Sequence, residues 1–129
     1  MSEYALHVSV VGLLDRFALP GVLYWHCNNT LSNVRHAAKM KRMGVKPGVA
    51  DLIIMSPSLS PLRKMPAFLE FKSPKGRLSE DQIQFAFTVK LLGCRYEIAH
   101  TIEEATYWLI EFGAIEAGRI TGVKRRDAA

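Results

Sequence analysis

The sequence predicts one α/β domain, a small mixed sheet covered by helices. Its 129 residues and 49% hydrophobic content suit a single compact core. Segments with apolar residues at helical spacing alternate with short β-branched or aromatic runs, which are typical of strands. Glycine, proline and helix-capping residues separate these segments, so each element has a local signal for where it begins or ends.

The first half of the chain predicts two helices and two strands. Ser2 caps a helix that runs to about Phe17, and Pro20-Gly21 turns the chain into a short strand over residues 22–26. Asn33 caps a second helix through residue 43, and Gly44 suits the left-handed position just after it. An apolar strand over residues 50–55 follows a Lys-Pro-Gly turn.

The second half completes the order α-β-α-β-β-α-β-α. A strand over residues 67–72 precedes the capping-box pattern that runs from Ser79 to Gln82 and opens a helix to residue 92. A strand over residues 95–99 leads to a second capping box, Thr101 to Glu104, and to a helix through residue 112. We therefore expect a single domain over residues 1–118 and a basic, loose C-terminal tail over residues 119–129.

The cellular compartment is indicated by what the sequence lacks. Its longest apolar runs are too short to cross a bilayer, and no basic region precedes an apolar run at the N-terminus. Cys27 and Cys94 form neither a disulfide framework nor a CxxC metal clip. A reduced, cytoplasmic setting is the simplest expectation. The four histidines have no zinc spacing, so core or surface roles are expected for them, although His26 ends a strand close to the predicted cleft.

Positive charge is concentrated in one part of the chain. Residues 16–79 contain eleven Lys or Arg side chains and only two acids, Asp51 and Glu70. From residue 80 onward the balance reverses to eight acidic against six basic side chains. Because Lys and Arg release condensed counterions from phosphates, the basic part indicates a polyanionic partner such as nucleic acid. An ordinary solvated basic surface would give the same count.

The second helix is the best candidate for gripping phosphates. Arg35, Lys39 and Arg42 recur on it at helical spacing, and Lys46 and Lys75 lie in the turns near the two acids. We expect these five side chains to bind the nucleic-acid backbone. A helix face that is merely solvated would look similar.

The strand over residues 67–72 carries the most informative pattern. Side chains alternate across a sheet, so Glu70 and Lys72 point to the same side, about 7 Å apart along the strand. If helices cover both faces, an acid and a base are held in a largely buried place, where a charge must be paired or bound to a metal. A plain ion pair on an exposed strand face is the alternative.

Asp51 supplies the second carboxylate at a strand entrance. Two carboxylates from adjacent strands can hold Mg²⁺, which prefers oxygen ligands. Such an ion polarises a phosphoryl oxygen and lowers the pKa of bound water, and Lys72 beside it can orient that water. The arrangement is suited to phosphodiester hydrolysis. Asp51 could instead simply cap the turn after Gly48.

The motifs together resemble the PD-(D/E)XK nuclease superfamily, and most closely its VRR-NUC (virus-type replication-repair nuclease) branch. Five segments carry the resemblance in the expected order: Gly44 to Asp51, Glu70-Phe71-Lys72, Leu78 to Gln82, Gly93 to Tyr96, and Thr101 to Ala105. The resemblance spans nearly the whole chain and implies a restriction-endonuclease-like fold, with a mixed central sheet flanked by helices. One departure is Ala50, where the family commonly has proline before the aspartate; the change removes no ligand.

The resemblance also implies roles for individual residues. Asp51 and Glu70 would be metal ligands, with the backbone carbonyl of Phe71 as a third. Glu3, near the start of the first helix, fits the family's N-terminal glutamate that leans toward the metal, although an early helix acid is also favoured by the helix dipole.

Two further residues complete the implied site. Lys72 would position the attacking water, and Gln82 would touch the site or the scissile phosphate. Gln82 is equally well explained as the third residue of a capping box.

The activity implied is that of a Mg²⁺- or Mn²⁺-dependent DNA endonuclease in replication or repair, acting as a homodimer on branched or four-way-junction DNA. A compact form of this kind looks phage- or bacterium-like, which implies the cytoplasm of a bacterium or of a phage-infected cell. The alternative from another class is a non-catalytic DNA-binding module that keeps the fold and the basic face.

Overall fold

The computed structural model describes residues 1–27, 34–57 and 65–119. Its elements are α1 (Glu3–Phe17), β1 (Leu23–His26), α2 (Val34–Arg42), β2 (Leu52–Met55), β3 (Ala67–Phe71), α3 (Glu80–Leu91), β4 (Arg95–Ala99), α4 (Ile102–Glu111) and a short 3-10 helix (Ala117–Arg119). The predicted order of helices and strands is confirmed. The predicted cap Asn33, the loop residues 58–64 and residues 120–129 of the predicted tail lie outside the described residues.

The four described strands form one mixed sheet in the order β1-β2-β3-β4. β1 pairs with β2 and β2 with β3 in antiparallel fashion, whereas β3 and β4 are parallel. Parallel neighbours need a crossover connection, and α3 supplies it. The predicted fold class, a mixed central sheet flanked by helices, is confirmed.

Helices cover the two faces of β3 with different cores. On one face Leu69 and Phe71 are buried with residues of α1 and α4 such as Leu6 and Leu109. On the other face Phe68 packs in a smaller cluster with residues of α3 and β4. All five residues of β3 are buried, which is why Glu70, on the second face, is also shielded from water.

Hydrogen bonds at the helix N-termini confirm one of the two predicted capping boxes in full. Ser79 Oγ accepts from the Gln82 N–H at 3.2 Å, and the Gln82 Oε1 accepts from the Ser79 N–H at 2.8 Å. The second box is only half formed: Thr101 Oγ1 accepts from the Glu104 N–H, but the Glu104 carboxylate accepts from the His100 N–H at 2.9 Å. A neighbouring donor therefore takes the place that the pattern assigned to the Thr101 N–H.

The turn before β2 is packed closely against the start of α3. Gly48 has a φ of +79°, and a Cβ added there would lie 2.3 Å from the carbonyl oxygen of Asp81. Only glycine combines that backbone conformation with so close an approach. This contact fixes the segment that leads into Asp51 relative to the helix that carries Gln82.

Within the three described ranges, no helix has both the length and the apolar character needed to span a bilayer. Cys27 and Cys94 are both free thiols, and both are partly exposed rather than buried.

Candidate active site

β3 brings the predicted acid and base of its polar face together. Glu70 is 2% exposed, and the Nζ of Lys72 lies 3.9 Å from Glu70 Oε2. Lys72 follows the last residue of β3, and its N–H still donates to the Ala99 carbonyl at 3.1 Å. The extended backbone therefore continues far enough to keep both side chains on one side of the sheet.

The antiparallel register of β2 and β3 places Asp51 beside Glu70. Leu52 is paired with Leu69, so the residue before Leu52 lies across from the residue after Leu69. Two hydrogen bonds tie them together: the Asp51 N–H donates to Glu70 Oε1 at 3.2 Å, and the Phe71 N–H donates to Asp51 Oδ2 at 2.9 Å. The two carboxylates thus converge on one place at the edge of the second sheet face.

Gln82 makes a contact that bears on each of the two roles that the sequence left open. Its Oε1 completes the capping box with Ser79, while its Nε2 donates to Glu70 Oε2 at 3.0 Å. The amide is held by the helix N-terminus at one end and binds the buried carboxylate with the other. The contacts of Gln82 are therefore compatible with a capping role and with a role at the site.

The surroundings of Glu70 disfavour its charged form. Burial is the main cause, and the charge of Asp51 adds to it; together they raise the pKa of Glu70 to about 8. Lys72 and the Asp51 N–H act in the opposite direction but do not compensate. A carboxylate held in this way gains the most from a further cation placed next to it.

Tyr96 of β4 is a site neighbour that sequence reasoning missed. Its hydroxyl is buried and has no hydrogen-bond partner among the described residues. Burial, and then the charges of Glu70 and Asp51, raise the pKa of Tyr96, so the phenol lies within the field of both acids. Tyr96 is paired with Phe68, so its side chain lies on the same face of the sheet as Glu70. The sequence alone could not show this, because the pairing of β3 with β4 has no local signal.

Two of the four histidines, His7 and His26, also lie near the site. Single ligand atoms of His7, His26 and Asp51 all lie within 4.8 Å of one another. The ring of His7 contacts the rings of His26 and Phe71, with centroids 4.7 and 4.9 Å apart respectively. Burial lowers the pKa of His7 below its usual value, which favours the neutral imidazole. The placement of His26 at the end of β1 agrees with the expectation that it approaches the cleft.

Glu3 lies one helical turn before His7 on α1. Its side chain is exposed, and among the described residues the group gathered within metal-ligand distance contains His7 instead. The metal-binding role of Glu3 stays a prediction.

The predicted phosphate-binding side chains are all exposed. Three lie on α2, one in the turn that leads to Asp51 and one in the turn after β3: Arg35, Lys39, Arg42, Lys46 and Lys75. The turn after β3 is closed by a hydrogen bond from the Gly76 N–H to the Ser73 carbonyl at 2.8 Å. The exposure of the five basic side chains is compatible with a solvated face and with binding of a polyanion.

Comparison with known proteins decides the family. The family model of the VRR-NUC domain matches residues 15–102, which include Asp51, Glu70, Lys72 and Gln82. The chain belongs to the VRR-NUC family. This VRR-NUC domain also resembles a solved structure described as a VRR_NUC domain protein, with a TM-score of 0.68, 21% sequence identity, and coverage of 87% of this chain and 88% of that chain. At that identity the likeness shows the fold. Comparison with curated proteins found no match.

Membership of the VRR-NUC family makes this a domain of nuclease type, for which DNA is the implied substrate. The resemblance seen in the sequence motifs is confirmed.

Proposed function

We propose that this VRR-NUC domain is a metal-dependent endonuclease that hydrolyses phosphodiester bonds in DNA. The observation that carries the proposal is the convergence of the Asp51 and Glu70 carboxylates beside Lys72. One hydrogen bond links the Asp51 N–H to Glu70, and the lysine Nζ lies 3.9 Å from the same carboxyl group. Acids and a lysine in this arrangement suit a hydrolytic site.

The donor set fits a hard divalent cation such as Mg²⁺ or Mn²⁺. Carboxylate and backbone carbonyl oxygens are the ligands such ions prefer, and Asp51, Glu70 and the Phe71 carbonyl would provide them. A buried carboxyl group whose pKa is raised to about 8 is stabilised as an anion when a cation binds. The buried Tyr96 hydroxyl on the same face can bond to the water that such ions retain.

Each side chain has a distinct task in the proposed reaction. When bound, the ion supplies Lewis-acid stabilisation of the phosphate and a lowered pKa for water. Lys72, only 12% exposed, orients the attacking water and stabilises negative charge that develops on the phosphate. Gln82 holds Glu70 through its 3.0 Å hydrogen bond and fixes the direction of that carboxylate. Glu3 keeps the role of an additional ligand within this proposal.

DNA binding is assigned to the exposed basic residues of α2 and the adjacent turns. Arg35, Lys39 and Arg42 lie along one short helix with no acid in its first turn. Phosphate contacts of this type position the duplex without reading its sequence. Lys46 and Lys75 are close in sequence to Asp51 and Glu70, which suits contacts to phosphates near the scissile bond.

We further propose that the protein is a homodimer acting on branched or four-way-junction DNA in replication or repair. Two active centres related by a two-fold axis can cut two strands. An exposed apolar stripe on α3, formed by Ile83, Phe87 and Leu91, supports self-association, because these residues recur every four positions on one side of the helix.

Cleavage of labelled DNA with Mg²⁺ tests the proposed function. We expect wild-type protein to cut one or more of a panel of linear, flap, splayed and four-way substrates, with branched forms preferred. Glu70→Ala and Lys72→Ala should each lose about 100-fold or more in rate, because each removes a charged group that the proposed reaction requires. Glu97→Ala on β4 and Lys90→Ala on α3 are matched controls that should keep wild-type rates.

Two outcomes of this assay would contradict the proposal. Cleavage that survives in both site variants would place the chemistry elsewhere. Tight DNA binding without cleavage by any form, with or without Mg²⁺, would instead support a non-catalytic DNA-binding module.

A further inference from the structure

We propose that His7, His26 and Asp51 form a second cation site, which takes a nitrogen-preferring divalent ion such as Zn²⁺ and shares Asp51 with the proposed Mg²⁺ position. This inference goes beyond the proposed nuclease function and has the Asp51 carboxylate in common with it. The three side chains come from α1, from the end of β1 and from the residue before β2.

The three side chains are close enough to share one ion. Single ligand atoms of His7, His26 and Asp51 lie within 4.8 Å of one another. Ligand atoms about 2.1 Å from one tetrahedral Zn²⁺ lie about 3.4 Å apart, so small side-chain rotations close the set. Two imidazoles and one carboxylate are a common ligand combination for a zinc ion that keeps an open position.

One hydrogen bond prepares His26 for ligation. Its Nδ1 lies 2.6 Å from the Asp51 carbonyl oxygen, and a carbonyl can only accept, so Nδ1 carries the hydrogen. The other ring nitrogen, Nε2, then has its lone pair available for a metal. Metal-binding histidines usually donate their second ring N–H to a carbonyl or carboxylate in this way.

The ring of His7 is held in place by its neighbours. It packs 4.9 Å from the buried Phe71 ring and edge-on to His26 at 4.7 Å. Both imidazoles also line a groove of about 480 Å³ beside α1, together with Tyr4, Val8 and Asp15. The groove gives an ion and its water a path from solvent to the cluster, which a functional metal site requires.

Ligand chemistry separates the two cation positions. Mg²⁺ prefers oxygen and would be held by Asp51 and Glu70, whereas Zn²⁺ binds imidazole strongly. Two ions sharing one carboxylate about 3.5–4 Å apart are the usual arrangement of two-metal phosphodiesterases. The shared aspartate therefore gives this domain the ligands for a mixed pair of ions.

Calorimetric titration of the metal-free protein with Zn²⁺ tests the second site. Wild-type protein should bind Zn²⁺, and His7→Gln and His26→Gln should each weaken binding at least about tenfold, because each removes a ligand. His100→Gln and Cys27→Ser are the controls and should stay within about twofold of the wild type, because neither residue belongs to the proposed ligand set. His100 is an instructive control because it bonds to Glu104, away from the cluster.

A second measurement does not depend on the folding of any variant. Zn²⁺ added to wild-type protein should shift the ring ¹H–¹⁵N signals of His7 and His26, and by more than saturating Mg²⁺ does, because only Zn²⁺ is bonded to the ring nitrogens in this proposal. Absence of Zn²⁺ binding, equal binding by both histidine variants, or unshifted ring signals would overturn the proposal. Loss of Zn²⁺ binding in Cys27→Ser would also overturn it, because the third ligand would then be the Cys27 thiol and not the Asp51 carboxylate.

The same variants separate this inference from the nuclease proposal. Lys72→Ala should abolish Mg²⁺-dependent cleavage while it retains Zn²⁺ binding, because Lys72 is a ligand of neither proposed ion. A protein that binds Zn²⁺ through both histidines but never cleaves DNA would support the second site and contradict the proposed activity. Cleavage of DNA by a protein that does not bind Zn²⁺ would support the proposed activity and contradict the second site.

Discussion

Glu70 is a buried acid whose position is costly for the fold and would be offset by a bound cation. The side chain is 2% exposed, and burial outweighs the attraction of Lys72, whose Nζ lies 3.9 Å away. An ion pair between Glu70 and Lys72 at this distance does not offset the free-energy cost of removing the Glu70 carboxylate from water. Strongly raised pKa values of this kind concentrate at functional sites, where a ligand provides the missing stabilisation.

The raised pKa of Glu70 predicts how the stability of the metal-free protein depends on pH. Between its ordinary pKa of 4.5 and its value of about 8 in the fold, the native state holds a proton that the unfolded state has lost. The free energy of unfolding should therefore fall as pH rises through this window. Urea unfolding at several pH values measures it, and Glu70→Gln should remove this part of the slope.

The pH prediction has a matched control and a metal-dependent counterpart. Glu97→Gln, on the neighbouring strand, should keep the wild-type slope. Saturating Mg²⁺ should flatten the wild-type slope, because the bound ion favours the ionised carboxylate. A wild-type slope equal to that of Glu70→Gln would contradict the assignment.

Substitutions at Ser79 and Gln82 separate the effect of helix capping on stability from the effect of the contact with Glu70 on cleavage. Ser79→Ala removes the acceptor of one capping bond and should lower the free energy of unfolding by about 1 kcal/mol, with cleavage nearly unchanged. Gln82→Ala removes a cap and also the 3.0 Å bond to Glu70, so it should reduce both stability and cleavage. Thermal unfolding and DNA cleavage of the two variants provide the comparison; equal cleavage would leave Gln82 a capping residue alone.

The site residues that could be predicted are those with a local sequence signal. Glu70 and Lys72 share a face because side chains alternate along a strand, and Gln82 follows Ser79 at capping-box spacing. The approach of His7 to the site could not be predicted in this way. His7 lies on the first helix, far from Asp51 in sequence, so only the packing of that helix on the sheet brings the two residues together. The same holds for Tyr96, whose position depends on the pairing of β3 with β4.

At the scale of elements, the turn at Gly48 connects the two halves of the site. The segment before β2 touches the first turn of α3, where a Cβ on Gly48 would lie 2.3 Å from the Asp81 carbonyl oxygen and 2.8 Å from the Gln82 nitrogen. Any side chain at this position must push the helix away. The distance between Asp51 and Gln82 thus depends on Gly48, a residue that itself has no functional side chain.

Gly48→Ala should therefore destabilise the protein more than an otherwise similar glycine substitution. Gly44 is the matched control, because it also has a positive φ, +94°, but a Cβ added there would meet no atom within 4 Å. We expect Gly44→Ala to lower the free energy of unfolding by about 1–2 kcal/mol through backbone strain. Gly48→Ala should lower it further, by about another 1–3 kcal/mol, because of the clash with α3. Urea unfolding measures both; equal losses would contradict the close approach.

The elements themselves were largely predictable because their ends are marked locally. Ser2, Ser79 and Thr101 cap helices as predicted, and Gly44 and Gly93 take positive φ where helices end. The order of strands in the sheet and the parallel pairing of β3 with β4 have no comparable signal. The half-formed capping box at Thr101 shows the limit of such patterns, because the His100 N–H binds the Glu104 carboxylate that the pattern assigns to the Thr101 N–H.

At the scale of the whole molecule, uneven charge predicts a strong salt dependence of DNA binding. Each phosphate contact contributes about −0.9 to the slope of log K against log salt concentration. Replacing Arg35, Lys39 and Arg42 by Gln should therefore reduce the slope by about 2–3 while the fold is kept, since all three are exposed. Fluorescence anisotropy measures the slope. Lys90→Gln is the control, and an unchanged slope in the triple variant would leave α2 a solvated face.

The apolar stripe of α3 predicts the surface of self-association. Phe87 is 58% exposed between Ile83 and Leu91, and Phe87→Glu should shift the protein from dimer to monomer because it places a charge in an apolar contact. Light scattering coupled to size-exclusion chromatography measures the mass. Tyr107→Glu, on the exposed side of α4, is the control; a monomeric wild type, or a dimeric Phe87→Glu variant, would contradict this interface.

Joint binding of a divalent cation by Asp51 and Glu70 is the property on which the proposed function depends. Titration of ¹⁵N-labelled protein with Mg²⁺, followed by amide chemical shifts, tests it most directly. We expect saturable shifts that are largest at the amides of Asp51, Glu70 and Phe71 and that disappear in Glu70→Gln. Shifts of equal size in Glu70→Gln, or shifts confined to residues away from β2 and β3, would contradict joint binding by the two carboxylates.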